Sequence, residues 1–133
     1  MPDEIYILRI SRAENERQLY TRHSLYVGIR REWSCGTKVL FIRKFLDDEA
    51  FIGSGVVDKI VILDELTEKE KKLCIENNWY GKLLFKMVAR FRPAVLIKDT
   101  PVADTNPLVL HGTIISTANF LAIEKLVHAR IIS

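Results

Sequence analysis

The sequence predicts an α+β domain with a small, bent and mostly antiparallel β-sheet that forms a pseudo-barrel, with short helices packed at its ends. Five or six short runs rich in β-branched and aromatic residues are separated by turn-forming residues, which is typical of such a sheet. Long helical patterns do not alternate with these runs, so a doubly wound parallel sheet is less favoured. Residues 1–133 are expected to form one domain with a substantial core.

The first two strands are predicted on either side of a short polar helix. Residues 5–10 form the first apolar run, and residues 25–29 form the second. Between them, Ser11 is followed three positions later by Glu14, and this S-x-x-E pattern is typical of a helix start. We expect the helix to be short and largely exposed, because its segment has few apolar residues.

A strand pair at 38–43 and 50–63 is predicted at the centre of the sheet, with an acidic turn at 47–49 between the strands. Gly53 and Gly55 interrupt the second strand. Glycine inside a strand is typical of a bulge, a sharp bend or the close approach of another group. We therefore expect the sheet to bend here.

The next elements are a helix and a long strand. Thr67 and Glu70 form a T-x-x-E pattern, so a helix is predicted to begin at Thr67. A strand is predicted at 83–91, broken at Pro93 and resumed at 94–97. The inner side of the helix is expected to carry Leu73, Cys74 and Ile75.

The C-terminal part is predicted to contain a loop, two short strands and a helix. Residues 98–107 include two prolines and several turn formers, which is typical of a loop. Edge strands are predicted at 108–110 and 113–115. Ser116 or Thr117 then begins a C-terminal helix, because apolar residues recur after it at helical spacing.

Composition and cysteine usage exclude several classes of protein. The chain is 48% hydrophobic and 28% charged, as in an ordinary soluble globular protein. No apolar run approaches the roughly 20 residues of a membrane span, and the N-terminus lacks the pattern of a signal peptide. Two isolated cysteines provide neither a disulfide framework nor a metal-ligand spacing. We therefore expect a cytoplasmic protein with reduced thiols and no membrane contact.

Charge is distributed unevenly along the chain, although the net charge is only +3. Residues 1–46 carry nine Lys and Arg against five Asp and Glu, residues 47–76 carry four against nine, and residues 77–133 carry seven against three. Two basic segments thus flank an acidic one. If the ends of the chain meet in the fold, as is common in compact domains, the basic segments share one positive face; otherwise these charges are scattered over a solvated surface.

No motif for catalysis or metal binding is present. The Gly-Ser-Gly at 53–55 lacks the remaining glycine of a phosphate-binding loop. The three histidines are isolated from other metal-ligand residues. The sequence therefore predicts no catalytic residues, no metal and no cofactor.

Aromatic and basic residues at predicted strand ends and turns favour a nucleic-acid-binding function. Aromatic faces stack on bases and arginine binds phosphate, so this combination is typical of proteins that bind single strands or flipped bases. Phe41 and Phe51 are expected in the core. The arginines at 90 and 92 are expected to share one strand face. The interface residues that this pattern predicts are Arg30, Arg31, Trp33, Trp79, Tyr80, Arg90 and Arg92.

Several short motifs occur in a recognisable order. A G-x-K-V-L-F segment at 36–41 precedes F-x-G-x-G-x-V at 51–57, and a basic strand before a proline follows at 90–93. The last motif is G-T-x-x-S-x-x-x-F-x-x-I at 112–123. This order resembles the PUA-like superfamily, and within it the small stand-alone domains of the EVE type.

The resemblance implies a pseudo-barrel of five or six strands with a cleft beside the segment that follows the first strand, where relatives bind nucleic acid or a modified base. It implies that Ser11, Arg12 and Asn15 form one side of the cleft. The stretch at 30–33 and the bent strand around Ser54 would form the other side. The chain departs from the family pattern because it lacks the tryptophan often found after the first strand.

Three functional hypotheses follow. The leading one is a non-enzymatic domain that binds nucleic acid, RNA rather than DNA, and recognises a base or a modified nucleotide in its cleft. The second is a small hydrolase of modified nucleosides, as in ASCH-like relatives, with Lys44 and Glu49 as the available lysine and carboxylate. The third is a protein-interaction module whose contact surface is the acidic helix at 67–77.

Overall fold

A computed structural model of the protein describes residues 4–132, without the side chains of Phe45 and of residues 128–132. In this part of the chain, six strands and four α-helices follow one another. They are β1 (Ile5–Arg9), α1 (Ala13–Arg22), β2 (Ser24–Val27), β3 (Lys38–Phe45), β4 (Asp48–Ile62), α2 (Glu68–Glu76), β5 (Gly81–Leu96), α3 (Pro107–Leu110), β6 (Ile114–Ile115) and α4 (Thr117–Ile132).

The strands form one mixed sheet in the order β2-β5-β4-β3-β1-β6. β1 and β3 are parallel, and the other pairs are antiparallel. The predicted α+β class is therefore confirmed. Among the described residues no backbone ladder joins β2 to β6, so hydrogen bonds between strands do not close this sheet into a barrel.

The sheet separates two apolar cores, because successive side chains of a strand point to opposite faces. Leu40 and Phe51 belong to the core that α4 covers. Phe41 belongs to the other core, which includes Leu19 of α1. Phe41 and Phe51 are fully buried, which confirms that both are core residues.

The bend predicted at the Gly-Ser-Gly segment coincides with breaks in strand register. The pairing of β3 with β4 shifts between Phe41 and Ile42, and the pairing of β4 with β5 shifts between Phe51 and Gly53. A methyl group at Gly55 would lie 3.1 Å from the Phe41 ring. The glycines therefore permit the bulges, and the missing side chain at Gly55 leaves room for the Phe41 ring.

The long strand β5 passes through Pro93 without the predicted break. Phe51 pairs with Val95, and Gly53 pairs with Arg90. The four residues at 91–94 of β5 therefore lie opposite one residue of β4, Ile52. Pro93 falls inside this irregular stretch, where the ladder does not require its missing N–H group. The prediction of a break was wrong because the bulge accommodates the proline.

Helix α1 begins differently from the prediction. Arg12, and not Ser11, occupies the N-cap position, and no side chain caps this end of the helix. The S-x-x-E pattern therefore does not form a capping box here. The N–H groups of the first turn have no side-chain acceptor within the described protein.

Helix α2 begins as predicted but presents a different face to the core. The N–H of Glu70 donates to the Thr67 hydroxyl at 3.2 Å, which confirms the start. Cys74 is buried, whereas Leu73 is 39% exposed and Ile75 is 66% exposed. Three consecutive residues span about 200° of a helix, so they cannot all face inward.

The segment at 108–110 is helical and not an edge strand. The Asn106 side chain accepts a hydrogen bond from the N–H of Leu108 at 2.9 Å, and Pro107 occupies the first turn. An N-cap asparagine followed by proline is a strong helix start, which the strand prediction overlooked.

The last two elements agree better with their predictions. β6 covers two of the three residues predicted at 113–115. The Ser116 hydroxyl accepts a hydrogen bond from the N–H of Asn119 at 3.1 Å, which confirms Ser116 as the start of α4. No helix in the described range 4–132 is long and apolar enough to cross a membrane.

Candidate nucleic-acid interface

A cleft of about 270 Å³ opens beside β1. The end of β1 and the start of α1 form one side of it, and β2 forms the other side. We call it the β1–β2 cleft. β1 and β2 lie toward opposite ends of the strand order, so the sheet curls until these ends face each other. The residues that line the cleft are Leu8, Arg9, Ile10, Ser11, Arg12, Asn15, Leu25, Tyr26, Val27, Gly28, Asn77, Trp79 and His111.

Side chains connect the two ends of the curled sheet beside this cleft. The Arg31 guanidinium donates to the carbonyl oxygen of Gly112 at 2.9 Å. The rings of Tyr6 and Trp33 meet edge to face with centroids 5.0 Å apart. These contacts fix the spacing of the two ends where backbone pairing is absent among the described strands.

The side chains of Ser11, Arg12 and Asn15 line the cleft together. β1 ends at Arg9, and the extended backbone of Arg12 leads directly into α1, which places all three at one edge of the cleft. None of their side chains bonds to another residue of the described chain. Their polar groups therefore remain available to a ligand or to water.

Trp79 lines the opposite side of the cleft and stacks on Tyr26, with ring centroids 5.2 Å apart and an angle of 9° between the planes. The backbone N–H of Trp79 donates to the carbonyl oxygen of Cys74 at 2.8 Å, so the end of α2 positions the tryptophan. The indole is half-buried. Part of the ring thus remains open to the cleft.

Charged groups fix the Tyr26 ring beneath this indole. The Tyr26 hydroxyl donates to Glu70 at 2.8 Å, and the Lys82 ammonium lies 2.7 Å from the same carboxylate oxygen. The hydrogen bond from Lys82 lowers the pKa of Glu70 to about 2. Burial, together with the bond to Glu70, raises the pKa of Tyr26, so the phenol remains a neutral donor.

His111 contributes a donor to the cleft that the sequence did not reveal. Its Nδ1 accepts a hydrogen bond from the N–H of Arg9 at 2.9 Å, so Nδ1 is unprotonated and the neutral ring carries its proton on Nε2. Burial, with the nearby charges of Arg9 and Arg31, lowers the pKa of His111. Nε2 has no partner among the described residues. No local pattern marks His111, because the fold brings it to β1 from far along the chain.

Seven residues that the sequence predicted for the interface do not line the cleft, and four of them are Arg30, Arg31, Trp33 and Tyr80. Arg30 lies over the Tyr80 ring, 4.2 Å from its centroid, and both line a separate depression beside Leu63. Arg31 is exposed but bonds to the backbone at Gly112 and Arg30. Trp33 is also absent from the lining of the cleft.

The prediction that Trp33 offers a ring to a base is wrong. The side chain is only 6% exposed, and its indole N–H donates to the Ile29 carbonyl at 3.3 Å. Its edge-to-face contact with Tyr6 places it in the core on the α1 side of the sheet. Trp33 therefore supports the end of the curled sheet and has no free face for stacking.

Ser54 also lies away from the cleft. It pairs with Leu40 of β3 and Ala89 of β5, and Leu40 points into the core under α4. Ser54 therefore points to the face opposite Gly53 and Gly55. The expectation that it borders the cleft is wrong, because a one-residue step along a strand reverses the face.

Arg90 and Arg92 line a second depression of about 420 Å³, which we call the basic groove. Both are exposed and flank the buried Phe91, as their spacing predicted. Arg43 and Lys44 line the same groove. Residues of the two basic segments of the sequence thus meet at this surface.

The residue pair considered for hydrolysis is outside the β1–β2 cleft. Lys44 and Glu49 face each other across the β3–β4 hairpin, and both border a depression near Asp48. Glu49 accepts a hydrogen bond from the Arg9 guanidinium at 2.6 Å. Within the described residues, no group of three His, Cys, Asp or Glu side chains is placed to hold a metal ion.

Comparison with known proteins adds evidence on the fold. No protein-family model matches the chain, and no curated protein matches it. Among solved structures, the chain is similar to a hypothetical protein from Leishmania major, with a TM-score of 0.64 and 18% sequence identity over 96% of each chain. At this level of identity, the similarity shows a shared fold alone.

Proposed function

We propose that the chain is a PUA-like domain that binds nucleic acid without catalysis and accommodates one base, or one modified base, in the β1–β2 cleft. RNA is the proposed ligand rather than DNA. The observation that supports this most strongly is the set of unbonded polar side chains opposite the stacked Trp79.

Several polar groups of the cleft are accessible and unbonded. Buried polar groups are normally bonded, and no described side chain has a buried nitrogen or oxygen without a partner. Ser11, Asn15 and Nε2 of His111 have no partner in the described chain, so they are open to solvent or to a ligand. Together they supply donors and acceptors, which is what the edge of a base requires.

The aromatic side of the cleft suits the face of the same base. Trp79 is supported from behind by Tyr26, so stacking on it requires little reorganisation. Arg12 is exposed at the edge of the cleft, where a guanidinium is available to the phosphate attached to a bound base. The cleft volume of about 270 Å³ lies just below the roughly 300–1,000 Å³ of pockets for drug-sized ligands, as expected for a ligand of about one base.

The choice of RNA and of a PUA-like fold rests on the resemblance of the short motifs. The curled sheet supports it, because side chains such as Arg31 join its two ends as in a pseudo-barrel. Proteins recognise bases in single-stranded RNA by exposing and stacking them, and they distinguish RNA from DNA through the 2′-hydroxyl.

A binding titration with short single strands tests the proposal. Mixed-sequence RNA and DNA oligonucleotides of equal length are titrated at low and moderate salt, with anisotropy as the readout. We expect RNA to bind more tightly than DNA, and its affinity to fall as salt rises. Trp79→Ala is expected to weaken binding by about 1–3 kcal/mol, the effect of losing one stacked base.

A matched control separates stacking from general effects on the surface. Leu121 is an exposed apolar residue on α4 and does not line the β1–β2 cleft, so Leu121→Ala should leave the affinity unchanged. Absence of detectable RNA binding at low salt would contradict the proposed function.

A further inference from the structure

We infer that the basic groove binds the sugar-phosphate backbone of the same strand whose base occupies the β1–β2 cleft; this inference rests on the proposed function. The groove is defined by the cations of Arg43, Lys44, Arg90 and Arg92. It is separate from the cleft, because the two share no lining residue.

The charges of the groove leave it strongly positive. Glu16 is the one carboxylate among its described lining residues. It bonds to Arg43 at 2.5 Å, and its other oxygen lies 3.8 Å from Arg90. Lys44 and Arg92 are exposed and have no ion-pair partner in the described chain. Four cations against one carboxylate favour a polyanion.

Arg90 is held in a fixed orientation within the groove. Its guanidinium lies over the Tyr20 ring, 4.0 Å from the centroid. The Tyr20 hydroxyl in turn donates to the carbonyl oxygen of Ile52 at 2.9 Å, and burial raises the pKa of Tyr20 to about 12. The hydrogen bond orients the neutral ring, and stacking on it reduces the freedom that the guanidinium loses when it binds a phosphate.

The surface between the cations is largely apolar. Ile52, Phe91, Pro93 and Ala94 form this part of the groove. A chain of phosphates joined by sugars presents regularly spaced charges and carbon surface together, which matches this alternation. A single small anion would leave most of the groove unused.

Helix α1 connects the groove with the cleft. Arg12 and Asn15 line the cleft, and Glu16 and Tyr20 line the groove. Tyr20 lies eight positions after Arg12, which is about 12 Å along the helix axis. One short single strand is therefore long enough to place a base in the cleft and adjoining phosphates in the groove.

The test is the salt dependence of RNA binding in a variant that removes two unpaired cations. In Lys44→Gln/Arg92→Gln, we expect weaker RNA binding and a shallower salt dependence. The slope of log affinity against log salt should change by about 1.4, because each phosphate contact of a single strand contributes about 0.7. Quenching of Trp79 fluorescence at saturating RNA should remain, because the cleft is intact.

The matched control removes two cations from another surface. Lys69 and Lys72 are exposed on α2 and line neither the cleft nor the groove. Lys69→Gln/Lys72→Gln has the same change in net charge, and we expect it to keep the wild-type slope.

Three results would overturn the inference. The first is an unchanged slope in the groove variant, and the second is an equal loss of slope in both double variants, which would indicate a general charge effect. The third is an acidic peptide that binds as tightly as RNA and loses the same affinity in the groove variant. Failure of the wild-type protein to bind RNA would instead contradict the proposed function itself.

Discussion

His111 and Arg9 are 102 positions apart in the chain, yet the imidazole Nδ1 of His111 accepts a hydrogen bond from the backbone N–H of Arg9 at 2.9 Å. The side chain thus continues the hydrogen bonding along the side of β1 that pairs with β6, next to the backbone bond between Gly112 and Ile7. This contact also fixes the tautomer of a ring that lines the β1–β2 cleft.

The His111 contact predicts a dependence of stability on pH. The pKa of His111 is lowered by burial and by the charges of Arg9 and Arg31, so the folded state binds its proton less readily than the unfolded state. The contribution of His111 to stability is therefore complete above pH 6.5, the ordinary value, and is lost as the pH falls below it.

This is measured by denaturant unfolding of the wild type and of His111→Asn, whose side-chain oxygen is an acceptor that does not titrate. The advantage of the wild type over the variant should be smaller at pH 5.5 than at pH 7.5. An advantage that stays constant between these values would show that burial and the charges of Arg9 and Arg31 do not lower the pKa of His111 in the folded protein.

Glu70 is predicted to stabilise the fold as a carboxylate. Its hydrogen bonds with Lys82 and Tyr26 hold its pKa near 2, so its contribution is present above pH 4.5 and is lost as the pH falls toward 2. Glu70→Gln should lower the free energy of unfolding at pH 7 by about 1–2 kcal/mol.

The control for Glu70 lies on the same helix. Glu68 is 93% exposed, and Glu68→Gln should change stability little. Equal unfolding midpoints for both variants in urea would contradict the role assigned to Glu70. Because Tyr26 supports Trp79, Glu70→Gln should also change the fluorescence of Trp79.

Gly53 is predicted to be essential for packing at the bend of the sheet. A methyl group there would collide with the Ala89 carbonyl oxygen and would lie 2.5 Å from the Tyr20 hydroxyl oxygen. Gly53→Ala should therefore destabilise the protein by about 1–3 kcal/mol, as overpacking does. Ser54→Ala at the adjacent position should have little effect on either stability or RNA affinity, and a large loss of affinity in that variant would restore Ser54 to the interface.

The two tryptophans are predicted to differ in function. Trp33 is buried beside Tyr6, so Trp33→Ala should lower the free energy of unfolding by about 3–5 kcal/mol. Trp79 is half-buried, so Trp79→Ala should cost less stability but more RNA affinity. Thermal unfolding and RNA titration of both variants distinguish these effects, and the reverse order would contradict the assignment.

Local sequence patterns predicted the parts of the fold that depend on local interactions. The T-x-x-E pattern at Thr67 and the start of α4 at Ser116 both occur as expected. Each depends on residues close together in sequence. The break at Pro93 failed because the compensating bulge depends on pairing with β4.

The candidate site was predicted in part. Trp79, in a turn, and the Ser11–Asn15 region, from the motif resemblance, lie in one cleft. His111 was missed because its role depends on a contact over 102 positions. Trp33 was assigned to the surface because an aromatic residue in a loop carries no periodicity that would show its burial.

The most direct test of the central claim is to locate the bound base. RNA that carries a photoreactive 4-thiouridine is crosslinked to the protein, and the attached residues are identified by mass spectrometry. We expect crosslinks at residues that line the β1–β2 cleft, with Trp79 and His111 among them. Crosslinks confined to α2 or α4, with none in the cleft, would contradict the account.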